Sequence, residues 1–484
     1  MIYTKRILLP LIAVLLLITF LIPSFTSCAE QADGDDSGDV GDNSDNNSDS
    51  ATDTQSETVS ENKLEIPDVK FGDDFVILTP KVLAFNYCLS DFDEPSSDAY
   101  EQAYYERNLA IEELFDITVM QVEDDLGPNV YNRLKTSADA GTGDYDICFN
   151  NMLSSCTAVG AGYCLSFDNF EYIDLDKSWW NDDCTEQMKL LGKNYMLAGD
   201  ISLSDKECIW AIYFIKDYIA QYGLQNPYEL VNNNEWTWDK MKEMYTEVAF
   251  DTNADGVMDK NDIWGLCTHP ENYAASWEAA GLKLADVDSD GMPYLTWGEE
   301  RFFDVFEKIK EIMGDTDRVS TDVYFITTSM REAKTLFATD VIALVREYRS
   351  NEHEFGILPY PKYDSDVDRF YSYIAVSSCV LTVGKDCTDT YRTGIITEAM
   401  AAYGKDILLP AYYEGQLKSR YARDEESSAM LDIIFNYRCY DLGVFFDWGY
   451  TSLNNPDANP ATLYSSSSVM YKKMIDRSLK RILS

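Results

Sequence analysis

The sequence predicts a mixed α/β protein with two lobes. Strand-like and helix-like segments alternate at the start of the globular part, from a strand at 75–78 through a helix at 98–115 to a strand at 117–119. Such alternation is typical of a mostly parallel sheet with helices on its faces. Roughly 420 of the 484 residues follow an acidic N-terminal stretch. That is more than one ordinary core accommodates, and it indicates two units of domain size.

The next elements repeat the pattern. A helix is predicted at 129–140, a strand at 145–149 and a further helix near 154–161. Ligands of parallel α/β sheets bind at the carboxyl ends of the strands. The polar residues that we expect to bind ligand in the loops after the strands are Asn86, Asp91 and Asn150.

Residues 1–27 are predicted to be a secretory signal. Lys5 and Arg6 precede an apolar run at 7–22 that is short, interrupted by proline and closed by small residues, which does not favour a membrane-spanning helix. The segment Thr-Ser-Cys at 26–28 resembles a bacterial lipobox, although Phe25 stands where Leu is usual. We expect lipidation of Cys28, which would anchor the chain to the membrane. Simple secretion with an ordinary cysteine is the alternative.

Residues 28–67 are predicted to be an acidic, disordered tether. Between 29 and 62 the chain has eleven acidic residues, no basic residue and almost nothing apolar, so this stretch cannot bury enough surface to fold. A self-repelling tether behind an acylated cysteine holds a globular part away from the membrane. The expected location is therefore the extracellular face of the cell membrane, with attachment through lipid only.

The overall charge and the scarcity of certain residues exclude several classes of function. The formal net charge of −45 does not suit binding to nucleic acid or to an anionic membrane surface. Ten cysteines follow Cys28 without a Cys-x-x-Cys pair, so their spacing does not favour a zinc or redox site and leaves disulfides open. With only His269 and His353 in the chain, a histidine-rich metal centre or a Ser-His triad is not favoured.

Residues 251–262 have the pattern of a calcium loop. Oxygen-bearing side chains stand at loop positions 1, 3, 5, 9 and 12, and a glycine stands at position 6. Ca²⁺ prefers six to eight oxygen ligands, and the glycine permits the sharp turn that wraps them around the ion. The expected ligands are Asp251, Asn253, Asp255, the Val257 carbonyl, Asp259 (directly or through water) and Asp262. We expect a structural Ca²⁺, since sensors usually have paired loops. The alternative is a solvated acidic turn.

Short segments spread along the globular part carry a family resemblance. They include Tyr-Glu-Arg-Asn at 105–108, Gly-Asp-Tyr-Asp at 143–146, Trp-Trp-Asn at 179–181, Trp-Thr-Trp-Asp at 236–239, Phe-Gly-Ile-Leu-Pro at 355–359 and Arg-Asp-Glu-Glu at 423–426. In order and spacing, these segments resemble the extracellular solute-binding proteins of family 1, the sugar-binding lipoproteins of ATP-driven importers in Gram-positive bacteria. The resemblance implies a two-lobed periplasmic-binding-protein-like (type II) fold with a ligand cleft, a hinge between the lobes and no catalytic role.

The same resemblance implies the division of the chain and its partners. The first lobe is expected at 68–200 with a returning segment at about 325–390, and the second at 201–324 with a returning segment at about 391–484. We expect a monomer that captures a carbohydrate, within that class an oligosaccharide, and delivers it to the membrane subunits of an ABC transporter. The sequence does not identify the sugar, and a peptide or a sugar acid remains open as the ligand.

Three tryptophans are candidates for the cleft. A carbohydrate site needs flat aromatic rings for the C–H faces of the sugar and planar polar groups for its hydroxyls. By family analogy, Trp210 lies in the strand that leaves one lobe for the other, on the hinge side of the cleft. Trp277, in a predicted helix, and Trp448, on an aromatic loop, are further expected stacking platforms.

Two more candidates follow an apolar run. The run at 341–345 reads as a strand, which would place Arg346 and Tyr348 at its carboxyl end. An Arg fork at that position could bind hydroxyls or a carboxylate.

Two other classes of function compete with the binding protein. A calcium-stabilised, glycan-active surface enzyme would use two carboxylates such as Asp91 and Asp146, held about 5–10 Å apart. With 84 acidic residues, the presence of such a pair is no evidence for it. A calcium-dependent adhesion module would require a second copy of the calcium loop. The segment at 286–291 begins like a second copy, but its position 12 is Trp297, so it is predicted to be a hairpin turn.

Overall fold

A computed structural model describes residues 63–81, 95–96, 98–269, 272–348, 351–418 and 425–484. All of these residues belong to one compact unit. The expected signal at 1–27, the lipidation candidate Cys28, most of the expected tether, and the ligand candidates Asn86 and Asp91 lie outside the described residues.

The described strands, in chain order, are β1 (Phe75–Pro80), β2 (Val119–Asp124), β3 (Ile147–Asn151), β4 (Trp210–Ile215), β5 (Trp264–Cys267), β6 (Ala285–Val287), β7 (Pro293–Leu295), β8 (Val319–Ser320), β9 (Thr335–Val341), β10 (Phe355–Leu358), β11 (Ser372–Tyr373), β12 (Cys379–Thr382) and β13 (Arg438–Cys439).

The α-helices are α1 (Ala99–Phe115), α2 (Pro128–Ala140), α3 (Met152–Gly160), α4 (Asp182–Gln187), α5 (Ser204–Glu207), α6 (Lys216–Tyr222), α7 (Pro227–Asn232), α8 (Trp238–Val248), α9 (Asn272–Ala279), α10 (Glu300–Met313), α11 (Ile326–Arg331), α12 (Thr390–Tyr403), α13 (Glu425–Asn436), α14 (Leu442–Phe445), α15 (Tyr450–Leu453) and α16 (Pro460–Ile482). Phe167–Asn169 and Ile342–Tyr348 are 3₁₀ helices, and Gly404–Leu408 and Ala411–Lys418 are π-helical.

The first sheet has the strand order β12-β3-β1-β2. Its central strand β1 pairs in parallel with β2 and β3, and β12 runs antiparallel to β3. Both faces of β1 are covered, because Phe75 and Ile77 face the main core while Leu78 packs with Val130 and Leu134 of α2. This arrangement confirms the predicted alternation of strands and helices, with α1 and α2 as crossover helices. β2 begins at Val119, two residues later than predicted.

The second sheet has the strand order β10-β4-β9-β5-β8. β5 is parallel to β8 and β9, whereas β4 is antiparallel to β9 and β10. β9 and β10 lie in the segment at about 325–390, which is expected to return to the first lobe, and both pair within the second sheet. β9 bonds to β4 on one side and to β5 on the other, so its backbone groups are satisfied within the second sheet. From that segment, β12 alone among the described strands joins the first sheet.

The segment at 286–291 forms the turn of a hairpin. β6 and β7 pair antiparallel, with Ala285 opposite Leu295. The Asp288 carboxylate accepts hydrogen bonds from the amides of Asp290 and Met292, both at 2.9 Å. Gly291 has a φ of +75°, which glycine adopts without strain. The predicted hairpin turn is therefore confirmed.

No helix in the described part of the chain combines the length and the apolar character that crossing a bilayer requires.

Candidate ligand-binding site

The two sheets are joined where three chain segments lie side by side. The chain enters β4 through Cys208 and Ile209, leaves β9 through Ile342, and approaches β12 through Ala375. The Ile342 amide donates to the Ile209 carbonyl and the Ala375 amide to the Cys208 carbonyl, both at 2.9 Å. These bonds tie the three segments, which we call the crossing region (208–209, 342 and 374–375), into one unit. Crossing strands of this kind are where lobes of an α/β protein can pivot.

A small cavity lies beside the crossing region. Its volume is about 10 Å³, and its walls come from α1, α5, the 3₁₀ helix at Ile342–Tyr348 and the π-helical stretch. The lining residues are Tyr100, Glu207, Ile342, Ala343, Val345, Arg346, Tyr412 and Leu417. About one water molecule fits in such a space. We call it the junction cavity.

An ion pair forms one wall of the junction cavity. Arg346 Nη2 donates to Glu207 Oε1 at 2.8 Å, and its Nε donates to the Ala343 carbonyl at 2.8 Å. Glu207 is fully buried, and a buried carboxylate needs such a partner because burial without one is costly. The pair links the segment leading into β4 with the segment that follows β9, across 139 positions of sequence.

Tyrosines form the opposite wall. The hydroxyls of Tyr100 and Tyr104 lie 3.3 Å apart, and the rings of Tyr100 and Tyr412 have centroids 5.5 Å apart. Burial, followed by the nearby Glu207 carboxylate, raises the pKa of Tyr100 well above its ordinary value, so its hydroxyl stays protonated. Burial lowers the pKa of Arg107 to about 10. Its guanidinium donates to the Ile201 carbonyl at 3.0 Å.

The predicted strand at 341–345 is wrong, although Arg346 does reach the candidate site. β9 ends at Val341, and Ile342–Tyr348 is a 3₁₀ helix. The Ile342 amide still donates to the Ile209 carbonyl, the next position in register after the Trp210–Val341 pair, and the chain leaves the ladder beyond this bond. Tyr348 faces away from the junction cavity, fully buried, with its ring centroid 5.3 Å from that of Tyr213 and 5.6 Å from that of Phe355.

Asn150 lies within β3, one residue before its end, and not in the loop expected after it, whereas Trp210 is the first residue of β4. The Asn150 side chain bonds to the amide and the carbonyl of Gly127, each at 2.9 Å, and so fixes the loop before α2. Trp210 is 3% exposed, with its ring edge-on to His269 at 5.3 Å and near Tyr373 at 6.4 Å. Neither side chain lines the junction cavity.

Trp277 and Trp448 lie in the core and do not line the junction cavity either. Trp277, in α9, is 1% exposed and packs against Phe302 with ring centroids 5.6 Å apart. Trp448, between α14 and α15, is 2% exposed and stacks on Phe446 at 5.0 Å. In this arrangement both rings fill space between helices.

Sequence reasoning missed Tyr100, Glu207 and Tyr412. Glu207 directly precedes the apolar run at 208–215, and a carboxylate at the start of a buried strand requires a cationic partner elsewhere in the chain. A search for such a carboxylate in the sequence could have identified Glu207. Nothing in the local sequence distinguishes Tyr100 and Tyr412 from the other tyrosines.

The loop at 251–262 is organised by its own acidic side chains. Asp251 accepts from the amides of Ala254 and Gly256, both at 2.8 Å, and Asp262 accepts from Thr252 at 2.9 Å and Asp259 at 2.8 Å. The backbone N–H groups of Asp259 and Thr252 hold the pKa of Asp262 below its ordinary value.

The donor chemistry of this loop fits Ca²⁺, and in the structure its carboxylates accept hydrogen bonds from backbone N–H groups of the loop. Gly256 has a φ of +81° at the sharp turn, and all five side chains named as ligands carry oxygen. Across the described ranges, however, no group of three or more His, Cys, Asp or Glu side chains is placed to hold a metal ion.

The carboxylates named for the competing enzyme do not form a described pair. Asp146 lies before the amino end of β3, where it accepts from Arg392 at 2.5 Å and from the Val76 amide at 2.7 Å. The other carboxylate named for the enzyme, Asp91, lies outside the described residues. Asp146 therefore ties α12 to β1, at the end of the sheet away from its carboxyl edge.

No protein-family model and no curated protein sequence matches this chain. Solved structures do resemble it. An ABC substrate-binding protein from Listeria monocytogenes, in complex with cycloalternan, has a TM-score of 0.54 and 12% identity, over 84% of this chain and 100% of that one. The maltose/maltodextrin-binding domain MalE from Bdellovibrio bacteriovorus, bound to maltotriose, has a TM-score of 0.55 and 14% identity, over 83% and 100%. The GacH receptor of Streptomyces glaucescens has a TM-score of 0.55 and 13% identity, over 84% and 99%.

These likenesses concern the fold. They cover almost the whole of each neighbour and most of this chain. Together with the two sheets and the crossing region, they confirm the predicted two-lobed, periplasmic-binding-protein-like α/β fold.

Proposed function

We propose that this chain is an extracellular solute-binding protein that captures a carbohydrate between its two lobes and delivers it to the membrane subunits of an ABC transporter. The observation that carries the proposal is the junction of two α/β sheets, where the Arg346–Glu207 pair and the rings of Tyr100 and Tyr412 lie beside the crossing region. Several proteins of the same fold were solved with carbohydrates bound, and their ligand class motivates the choice.

The chemistry at the junction suits hydroxyl-rich ligands. Tyr100 and Tyr412 would present ring faces to sugar C–H groups once the lobes part, and the Arg346–Glu207 pair would border them with polar groups. The junction cavity holds only about one water, so a sugar can enter only if the lobes move apart about the crossing segments. Binding would then favour one lobe arrangement over the other, as a hinged receptor requires.

The anchoring part of the proposal comes from the sequence. Lipidation at Cys28 would hold the chain on the extracellular face of a Gram-positive membrane, and the acidic tether would keep the globular part clear of it. We further propose that the chain acts as a monomer.

The loop at 251–262 is proposed to bind a structural Ca²⁺. Asp251, Asn253, Asp255, Asp259 and Asp262 would supply side-chain oxygens, and the Val257 carbonyl would supply a backbone ligand. The loop directly precedes β5 of the second sheet, so a bound ion would stabilise the start of that strand.

Thermal unfolding against a panel of oligosaccharides tests the function. A ligand that binds only the folded state at 100 times its dissociation constant adds about 2.7 kcal/mol to the free energy of unfolding, which raises the midpoint measurably. We expect one sugar class to raise it and to be recovered chemically unchanged. Hydrolysis of the sugar would favour the enzyme instead, and a shift with peptides alone would refute carbohydrate capture.

A further inference from the structure

A second, larger pocket lies behind the wall of the junction cavity. Its volume is about 470 Å³, and it opens between the helical stretch at 404–418 and α13. Lys206 and Tyr413 line this pocket, whereas their chain neighbours Glu207 and Tyr412 line the junction cavity. The two spaces therefore share a wall but no lining residue. Pockets that bind small molecules commonly measure about 300–1,000 Å³.

The lining of this rear pocket combines aromatic faces with a polar rim. The rings of Tyr413 and Phe435 have centroids 6.0 Å apart and planes inclined at 51°, so they form a corner and not a stack. Pro410 adds apolar surface beside them, and Asp432 and Asn436 lie at the rim on the exposed side of α13. The Tyr413 hydroxyl donates to Asp432 Oδ1, which fixes that carboxylate beside the rings.

Lys206 completes the polar side of the rear pocket. Its ammonium is held by Asp200 at 2.9 Å and by Asp205 at 3.5 Å. Because these carboxylates already balance its charge, the ammonium does not select an anionic ligand. The pocket therefore presents two ring faces set at an angle, with hydrogen-bonding groups along one edge. That combination suits a ring with an apolar face and hydroxyls around it.

We propose that the rear pocket binds one pyranose ring of a carbohydrate, at a site separate from the junction cavity. The ligand class rests on the proposed function. Asp432 and Asn436 are exposed at the rim, where they can exchange hydrogen bonds with the hydroxyls of a ring, which a purely apolar ligand lacks. A pyranose satisfies them with hydroxyls while its C–H face covers Tyr413 or Phe435.

The pocket is placed to act on the hinge. α13 belongs with the second sheet through its packing on β10, and the Ser427 hydroxyl bonds to the Tyr228 hydroxyl at 2.7 Å. The 404–418 stretch packs on α1, next to the first sheet. A ring in the rear pocket therefore contacts elements from both lobes, and it favours the arrangement in which both walls fit it.

Saturation-transfer NMR of the full chain in detergent tests the proposal. The probes are glucose, galactose, mannose, xylose and N-acetylglucosamine, each at about 10 mM, which occupies most of a site with a dissociation constant near 1 mM. Asn436→Trp fills the pocket from an exposed position at the end of α13. Asn232→Trp, at the exposed end of α7, is the matched control. Tyr413→Ala removes one ring of the corner, and Tyr413→Phe keeps it.

We expect at least one pyranose to receive saturation from the wild-type chain and the Asn232→Trp chain. Its affinity should fall about tenfold or more, equivalent to 1.4 kcal/mol, in Asn436→Trp and Tyr413→Ala, and Tyr413→Phe should retain most of it. Undiminished binding in Asn436→Trp and Tyr413→Ala would overturn the rear pocket while leaving carbohydrate capture intact. If no pyranose binds the wild-type chain, the rear pocket is refuted, whereas the thermal-unfolding panel of oligosaccharides decides the proposed function independently.

Discussion

Glu398 provides a sharp test of the electrostatics inside the first lobe. This residue of α12 is 2% exposed, and its two carboxylate oxygens accept hydrogen bonds from the indole nitrogens of Trp179 at 3.0 Å and Trp180 at 2.9 Å. Burial raises its pKa from 4.5 to about 7, against the opposing effect of the hydrogen bonds from Trp180, the Asp174 backbone and Trp179.

The sign of the effect on stability follows from that direction. Because the folded pKa lies above the unfolded value, Glu398 supports folding fully below its unfolded pKa, and this support is lost as the pH rises through the folded pKa. A shift from 4.5 to about 7, at about 1.4 kcal/mol per pKa unit, corresponds to about 3 kcal/mol. Between about pH 5 and 8, the two pKa values give a loss of about 2–3 kcal/mol.

Glu398→Gln removes the titration, so the difference in unfolding free energy between the wild type and this variant isolates the effect. Urea unfolding followed by tryptophan fluorescence, at steps from about pH 5 to 8, supplies that difference. Glutamine leaves one indole N–H facing an amide donor, but that cost does not change with pH. The exposed Glu352→Gln serves as the control. A difference that stays constant within about 1 kcal/mol across this range, below the expected loss of about 2–3 kcal/mol, would refute the reasoning.

Three further perturbations test other parts of the molecule. EDTA should lower the melting temperature of the wild type but not that of Asp262→Asn. If Ca²⁺ stood at 100 times its dissociation constant, the loss for the wild type would correspond to about 2.7 kcal/mol of unfolding free energy. Equal effects on both chains would exclude the loop as the Ca²⁺ site. Replacing Arg346 by Met should cost about 3–5 kcal/mol in urea unfolding, because the buried Glu207 loses its cationic partner, and adding Glu207→Gln should restore part of it. Gly404→Ala places a Cβ against a backbone carbonyl oxygen and should cost about 1–3 kcal/mol, whereas Gly394→Ala meets only ordinary contacts and should be neutral or stabilising.

The elements that could be predicted are those set by local pattern. α1 begins after Asp98, whose carboxylate accepts from the Tyr100 amide at 2.9 Å, and its period of apolar residues continues to Phe115. The hairpin at β6 and β7 follows from its turn residues. In both cases, the interactions that decide the structure join residues a few positions apart.

The errors arise where distant residues decide. The apolar run after Val341 is as compatible with a strand as with a buried helix, and in the structure it continues as a 3₁₀ helix. The tryptophans chosen for the cleft satisfy the chemistry of sugar binding and that of core packing equally well. Trp277 lies against Phe302 of the helix that follows it, a pairing that no local pattern reveals.

The charges at the junction restrict how the lobes can move. Glu207 is fully buried and the Arg346 side chain is 16% exposed, and separating them would take the cationic partner from a buried carboxylate, at a cost of about 3–5 kcal/mol. A hinge motion that separated this ion pair would therefore be unfavourable. Lobe separation must keep Glu207 and Arg346 together and pivot at the crossing segments on either side. A ligand in the cleft or the rear pocket then has to supply only the smaller difference between two arrangements that both keep the pair intact.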